Sequence, residues 1–338
     1  MNFMWRVISI FLLTICYSCN SEATLINDPC ADIVCDSGEE CINGTCTDIN
    51  IGTEECTKGN ILNGSRADCT ETLNFSAEFS MSENGSTRTI SANNIPAHKV
   101  GLFGNVAGAA NPNAIAPQSS SYSVTSSPQL ASSKTQLLGN SGPDYAFGVL
   151  LNGVELDPVA AEPWPHIRGN FAQADWDWNL EALNVNLGLD CNNAHVQPTG
   201  KYHYHASPTL YIESLQATSD QMTLVGYAGD GFPIYNKYAY SDANNMDSAI
   251  VEMQPSYQLK QGIRPGDGDS APCGNYDGVY TQDYEFVENV GDLDECNGRM
   301  GVTPEFPGGT YYYVLTTEFP AIPRCFSGTP SNDFRIGM

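Results

Sequence analysis

From about residue 70 onward the chain is a succession of short β-prone runs punctuated by Gly, Pro, Asn and Ser. The clearest are 73–79 (LNFSAEF), 145–151 (YAFGVLL), 222–227 (MTLVGY) and 310–317 (TYYYVLTT). Short apolar runs closed by turn residues predict strands. Only 176–187 has the make-up of a short helix. The stretch 105–133, rich in Ala, Ser, Asn and Pro, reads as extended loop. The pattern predicts a mainly β fold with long ordered loops.

Three blocks recur in the same order. GVLLNGVELDP at 148–158, LDCNN from 189 and PTGKYHYH ending at His205 are followed by GYAGDGFPIYN at 226–236, LDECNGR from 293 and PGGTYYYV ending at Val314. This order is the mark of a duplicated β unit forming one large domain. Two halves packed face to face, with a pseudo-two-fold site between them, are the expected arrangement. The second copy has Tyr312 in place of His203 and Val314 in place of His205.

The N-terminal pattern is of another kind. Arg6 is followed by the apolar stretch 7–13 and then Cys16-Tyr17-Ser18-Cys19. This predicts an export signal over 1–19, too short for a membrane span. Cys19 is the candidate lipidation site; the alternative is plain secretion with cleavage near Ser18. A tether at 20–29 leads to a cysteine-rich segment at 30–46, DPCADIVCDSGEECINGTC, which looks like a truncated EGF-like knob. Residues 47–89 form a linker and first strands, and 90–338 the main domain.

Ten cysteines lie beyond the signal, and an even count in an exported chain implies disulfides. Cys56 is expected to pair with Cys69. Cys191, Cys273, Cys296 and Cys325 are expected to staple loops of the main domain. The balance of 14 basic to 39 acidic residues, a formal charge of −25, excludes nucleic acid and a grip on anionic lipid. The only membrane contact expected is through a lipid anchor.

Three of the five histidines fall within LDCNNAHVQPTGKYHYH. On a strand His203 and His205 point to one face, while Tyr202 and Tyr204 take the other. His195 lies upstream of the Pro198-Thr199-Gly200 turn signal. Three imidazoles brought together this way make a site for copper or zinc. The alternative is that they hydrogen-bond carbonyls or carboxylates in a polar core. His98 is a candidate fourth ligand or wall residue, and His166 a loop residue. Tyr202 and Tyr204 are candidates for hydrogen bonds supporting the ligands. Asp190 and Glu181 are candidate supporting or basic groups, with turn capping favoured for Asp190, Asp294 and Glu295. Asn152 and Asp230 are read as turn residues, and Arg264 and Arg299 as partners of buried carboxylates. Calcium is the weaker cation: the 265–278 loop alternates Asp and Gly but lacks EF-hand spacing and its terminal bidentate Glu.

The blocks NNIPAH at 93–98, WNLEA at 178–182, LDCNNAHVQPTGKYHYH, GYAGDGFPIY, YDGVYTQDYEFV at 276–287 and GDLDECNGR through TPEFPGGTYYY resemble the YHYH domain family over about residues 90–330. The resemblance implies an exported bacterial protein, frequently a lipoprotein, with its site in the YHYH motif; it implies no reaction. Family members often have a histidine in the second tyrosine motif, where this chain has Tyr312. Three functions are consistent with this reading. One is an extracytoplasmic copper- or zinc-binding protein with a delivery or surface partner. Another is a metal-dependent hydrolase using Glu181 or Asp190 as base. The last is an adhesion or carbohydrate-binding module using Trp164, Trp176 and Trp178.

Overall fold

The computed structural model describes residues 39–42, 45–48 and 66–336, apart from 167–173 and 186. The chain divides into two compact units, 1–49 and 50–338. In the first, Glu39–Ile42 pairs antiparallel with Thr45–Asp48, setting Cys41 opposite Cys46. The rest of the expected EGF-like segment, the signal with Cys19, the tether and Cys56 lie outside the described residues.

The second unit is built on one eight-stranded sheet. Its strands are β1 (Gly148–Leu150), β2 (Glu155–Leu156), β3 (Ala194–Val196), β4 (Tyr202–Tyr204), β5 (Leu224–Ala228), β6 (Pro233–Tyr235), β7 (Gly298–Gly301) and β8 (Thr310–Val314). Their spatial order, β3-β4-β2-β1-β5-β6-β8-β7, has the same pattern from either edge. β1 and β5 pair antiparallel at the centre. β4 joins β2 in parallel, as β8 joins β6. β3 and β7 close the edges as antiparallel partners of β4 and β8. The duplicated unit is therefore present, but the halves lie edge to edge in one sheet and not face to face.

Two glycines explain that join. A Cβ on Gly148 would stand 2.6 Å from the Tyr227 carbonyl oxygen, and one on the equivalent Gly226 2.5 Å from that of Val149. Bare backbone at both positions lets the first strands of the two halves meet directly. Gly148→Ala is expected to cost about 1–3 kcal/mol by overpacking, measured as a lower urea midpoint with an unchanged slope. An unaltered midpoint would contradict this close approach.

The core lies against the sheet, with Phe147 at its centre. Its ring meets Tyr313 edge-on at 4.9 Å and stacks on Phe326 at 5.5 Å. A three-stranded antiparallel sheet, Phe79–Asn84, Thr87–Ala92 and Ser120–Thr125, contributes Ile90, Tyr122 and Val124. Cys325–Gly328 pairs with Leu130–Gln136.

Several sequence expectations are corrected. The run 105–133 contains strand, because Tyr122 and Val124 are buried between exposed serines and Thr125, an alternation masked by polar composition. The run 73–79 becomes strand only at Phe79. Within 176–187 there is no described helix. Asp175–Asn179 is a strand paired with Pro163–Trp164, in keeping with the β preference of aromatic residues. Among the described residues the α-helix, α1, is Thr209–Ser214.

Cys69 pairs with Cys191, not with Cys56. Ala67 N–H donates to the Leu189 carbonyl at 3.1 Å, so the segment entering the domain runs beside Asp190 and delivers Cys69 to its neighbour. Another bridge, Cys296–Cys325, starts from the equivalent block of the other half.

Candidate metal centre

The hairpin β3–β4 turns over residues 197–201, where Gly200 takes a positive φ of 85°. Gln197 N–H donates to the Lys201 carbonyl at 3.0 Å and Gly200 N–H to that of Gln197 at 2.8 Å. This turn sets the register His195 opposite His203. Directly opposed residues share a face, and His205 is two positions on from His203, so three imidazoles occupy one face of the hairpin. His205 N–H continues the ladder to the Asn193 carbonyl at 2.8 Å.

The rings converge on one another. His205 Nε2 lies 3.1 Å from His203 Nε2 and 3.1 Å from His195 Nε2. Nitrogens about 2.0–2.1 Å from one ion in tetrahedral geometry would stand about 3.3 Å apart. The spacing thus fits a cation at the common point. The far nitrogens point outward: His195 Nδ1 to the Leu187 carbonyl at 2.9 Å, and His203 Nδ1 more loosely to that of Lys201 at 3.4 Å. A proton donated from Nδ1 leaves the Nε2 lone pair free, so at least two lone pairs face the third ring.

His203 and His205 are buried, whereas His195 is half-buried. Burial pushes both buried imidazoles well below the usual histidine range, and neighbouring imidazoles push the same way. Lys201 adds to the effect on His203; on His205 Arg324 and Arg66 add to it and the Pro158 carbonyl opposes it. His203 and His205 are therefore held neutral, the form that binds metal.

The other face of β4 is structural. Tyr202 donates to Asp190 Oδ2 at 2.8 Å. Asp190 also accepts the N–H groups of Gly101 and Asn192, at 3.0 and 2.8 Å. Tyr204 donates to His98 Nε2 at 2.7 Å and accepts from Asn152 at 2.9 Å, while His98 Nδ1 meets the Lys99 carbonyl at 2.8 Å. Both nitrogens of His98 are thus engaged on the face opposite the cluster. The hydroxyls of Tyr202 and Tyr204 likewise reach Asp190 and His98 rather than the imidazoles. Glu181 forms a buried ion pair with Arg324 at 2.7 Å.

Other candidates have structural partners. His166 Nε2 meets the Tyr280 hydroxyl at 3.1 Å, and its ring packs on Trp164, which is itself buried. Arg264 pairs with Asp283 at 2.6 Å, as its scarcity in the sequence suggested. Asp267, in the 265–278 loop, caps its own turn through the N–H groups of Asp269 and Ser270. Glu295 lies beside Cys296 and Cys325, but those sulfurs are joined to each other.

Sequence reading missed the acids beside the cluster. β2 pairs with β4 in register Glu155 opposite His203, and Asp157 N–H extends the ladder to the Tyr204 carbonyl at 2.9 Å. Glu155 and Asp157 therefore share the histidine face. The alternation Glu155-Leu156-Asp157 was the available signal. In the other half the equivalent positions hold Arg299, Tyr312 and Val314, and Arg299 Nε donates to the Tyr312 hydroxyl at 2.6 Å. The duplicate thus keeps the architecture and has no imidazoles at these positions.

Fold and site together define a disulfide-stapled β protein with a duplicated sheet and a three-imidazole cluster in one half. The chain belongs to the YHYH protein family, which it matches over residues 121–328, a span holding both halves of the sheet and all three histidines. No curated protein and no solved structure matches it. Among the described residues no helix is long and apolar enough to cross a membrane.

Proposed function

We propose that this chain is an extracytoplasmic metal-binding protein, holding copper or zinc through the Nε2 atoms of His195, His203 and His205. The observation that carries the reading is the meeting of three ring nitrogens, two of them with outward-facing carbonyl partners on Nδ1. Without a cation, one proton on His205 serves one neighbour well and leaves another lone pair opposed. With a cation all three are satisfied. An all-imidazole set suits zinc and copper better than calcium, which takes oxygen ligands. Disulfides such as Cys69–Cys191 and Cys296–Cys325 support a compartment outside the reducing cytosol.

The test is elemental analysis of protein purified without chelator or affinity tag, beside His203→Ala/His205→Ala. The expected result is about one equivalent of copper or zinc per chain, lost in a variant whose circular dichroism shows it folded. No metal in the parent protein after equilibration with both ions would falsify the reading.

A further inference from the structure

Asp157 is buried, with 4 % of its surface exposed, and its Oδ1 has no hydrogen-bond partner among the described residues. Its Oδ2 accepts from Gln197 Nε2 at 3.2 Å, two residues beyond His195. Glu155, on the same face, is matched by Lys201 at 2.5 Å and by the Tyr122 hydroxyl at 2.9 Å. Arg324, the other nearby cation, is engaged by Glu181. Burial and the charge of Glu155 push the Asp157 carboxyl up to about 7, with Lys201 and Arg324 pulling the other way. A buried carboxyl oxygen with nothing to accept is costly unless something fills the space before it.

The duplicated half supplies an independent comparison. Leu156 pairs with Tyr204 as Ile234 pairs with Tyr313, so the equivalent of Asp157 is Tyr235. Tyr235 donates to Glu305 at 2.6 Å and meets the Thr303 hydroxyl at 2.8 Å. Where the imidazoles are absent, the acid is absent too. Within this one chain the acid and the histidines occur together.

Resting on the three-histidine reading above, we propose that Asp157 is the acidic partner of an open metal centre, its free Oδ1 accepting a hydrogen bond from a water held by the ion. The three imidazoles leave at least one coordination position, and the carboxylate makes it a place for a neutral hydrogen-bond donor. An anion there meets a negative charge and gives Asp157 no hydrogen to accept. The ligand class is therefore water or a hydroxyl- or amine-bearing molecule, and the centre is of the exchangeable kind rather than a closed structural one.

The experiment uses the full mature chain loaded with cobalt(II), whose visible bands report coordination, titrated with azide at pH 8. Asp157→Asn and Asp157→Ser are compared with the parent after circular dichroism and cobalt stoichiometry show all three folded and loaded. The expected result is weak azide binding by the parent and binding tighter by about tenfold or more in both variants, the size of one nearby charge removed. Equal azide affinity in the three proteins, or no azide response in any, overturns the assignment of Asp157 while cobalt binding leaves the three-histidine reading standing. Absence of cobalt bands in the parent overturns both.

Discussion

Arg324→Met is expected to lower stability by about 3–5 kcal/mol, the range for breaking a buried ion pair from one side. The guanidinium does two jobs at once. It pairs with Glu181 at 2.7 Å, a carboxylate whose side chain is 1 % exposed. It also donates to the Pro158 carbonyl at 2.5 Å, beside Asp157. Methionine fills much of the volume but leaves the Glu181 charge buried without its cation, with only the longer contacts from Thr281 and Leu183 remaining. Removing the stranded charge as well, in Arg324→Met/Glu181→Leu, should recover much of the loss, since apolar replacement of both partners of a buried pair is often near neutral. Urea unfolding with a common slope decides the matter. A single variant within about 1 kcal/mol of the parent would mean that this pair behaves as a surface contact.

Acid is expected to destabilise the metal-free protein below about pH 6.5. Burial holds His98, His166, His203 and His205 below the ordinary imidazole value, His166 at about 4. As pH falls through 6.5, the unfolded chain takes up these protons and the folded chain does not, so stability is lost. Three carboxyls act in the opposite sense. Burial raises Asp294, and takes Asp157 to about 7 and Asp230 to about 6, so the folded chain binds their protons before the unfolded one. Their contribution is present below the unfolded carboxyl value and lost as pH rises through the folded values, 6 to 7 for Asp157 and Asp230. The imidazoles outnumber them, giving a net loss on the order of 1–3 kcal/mol per pH unit near pH 5. Urea midpoints of chelator-treated protein between pH 4.5 and 8 would measure it. Stability level or rising toward pH 5 would show that the imidazoles are not held neutral. Asp157→Asn removes one opposing group and should steepen the decline.

The histidine cluster was legible in the sequence because it needs only local rules. A two-residue period puts His203 and His205 on one face, and a Pro-Thr-Gly turn folds His195 back onto them. The internal repeat was legible for the same reason, as an order of blocks. What could not be read depends on which strands become neighbours. Asp157 joins the site only because β2 runs parallel to β4, a pairing between segments far apart in the chain. Cys69 meets Cys191 through the same kind of long-range placement. His98 shows the opposite error: it does approach the YHYH strand, but at Tyr204 on its other face, and sequence alone does not say which side of a strand a distant residue will reach. Strand was hidden where serine and threonine supply the outward positions, as around Tyr122 and Val124.

His195 stands on β3, the outer strand of the sheet, with β4 as its single ladder partner. An outermost strand is fastened from one side and opens more readily than the interior. The Cys69–Cys191 bridge, four residues before His195, is a second fastening on that strand. In the reduced chain two of the three imidazoles belong to the better-held β4 segment, and the third to a strand free to fray. Closing Cys69–Cys191 fastens the third, so the geometry of the cluster is tied to the redox state of a bond that lies outside it.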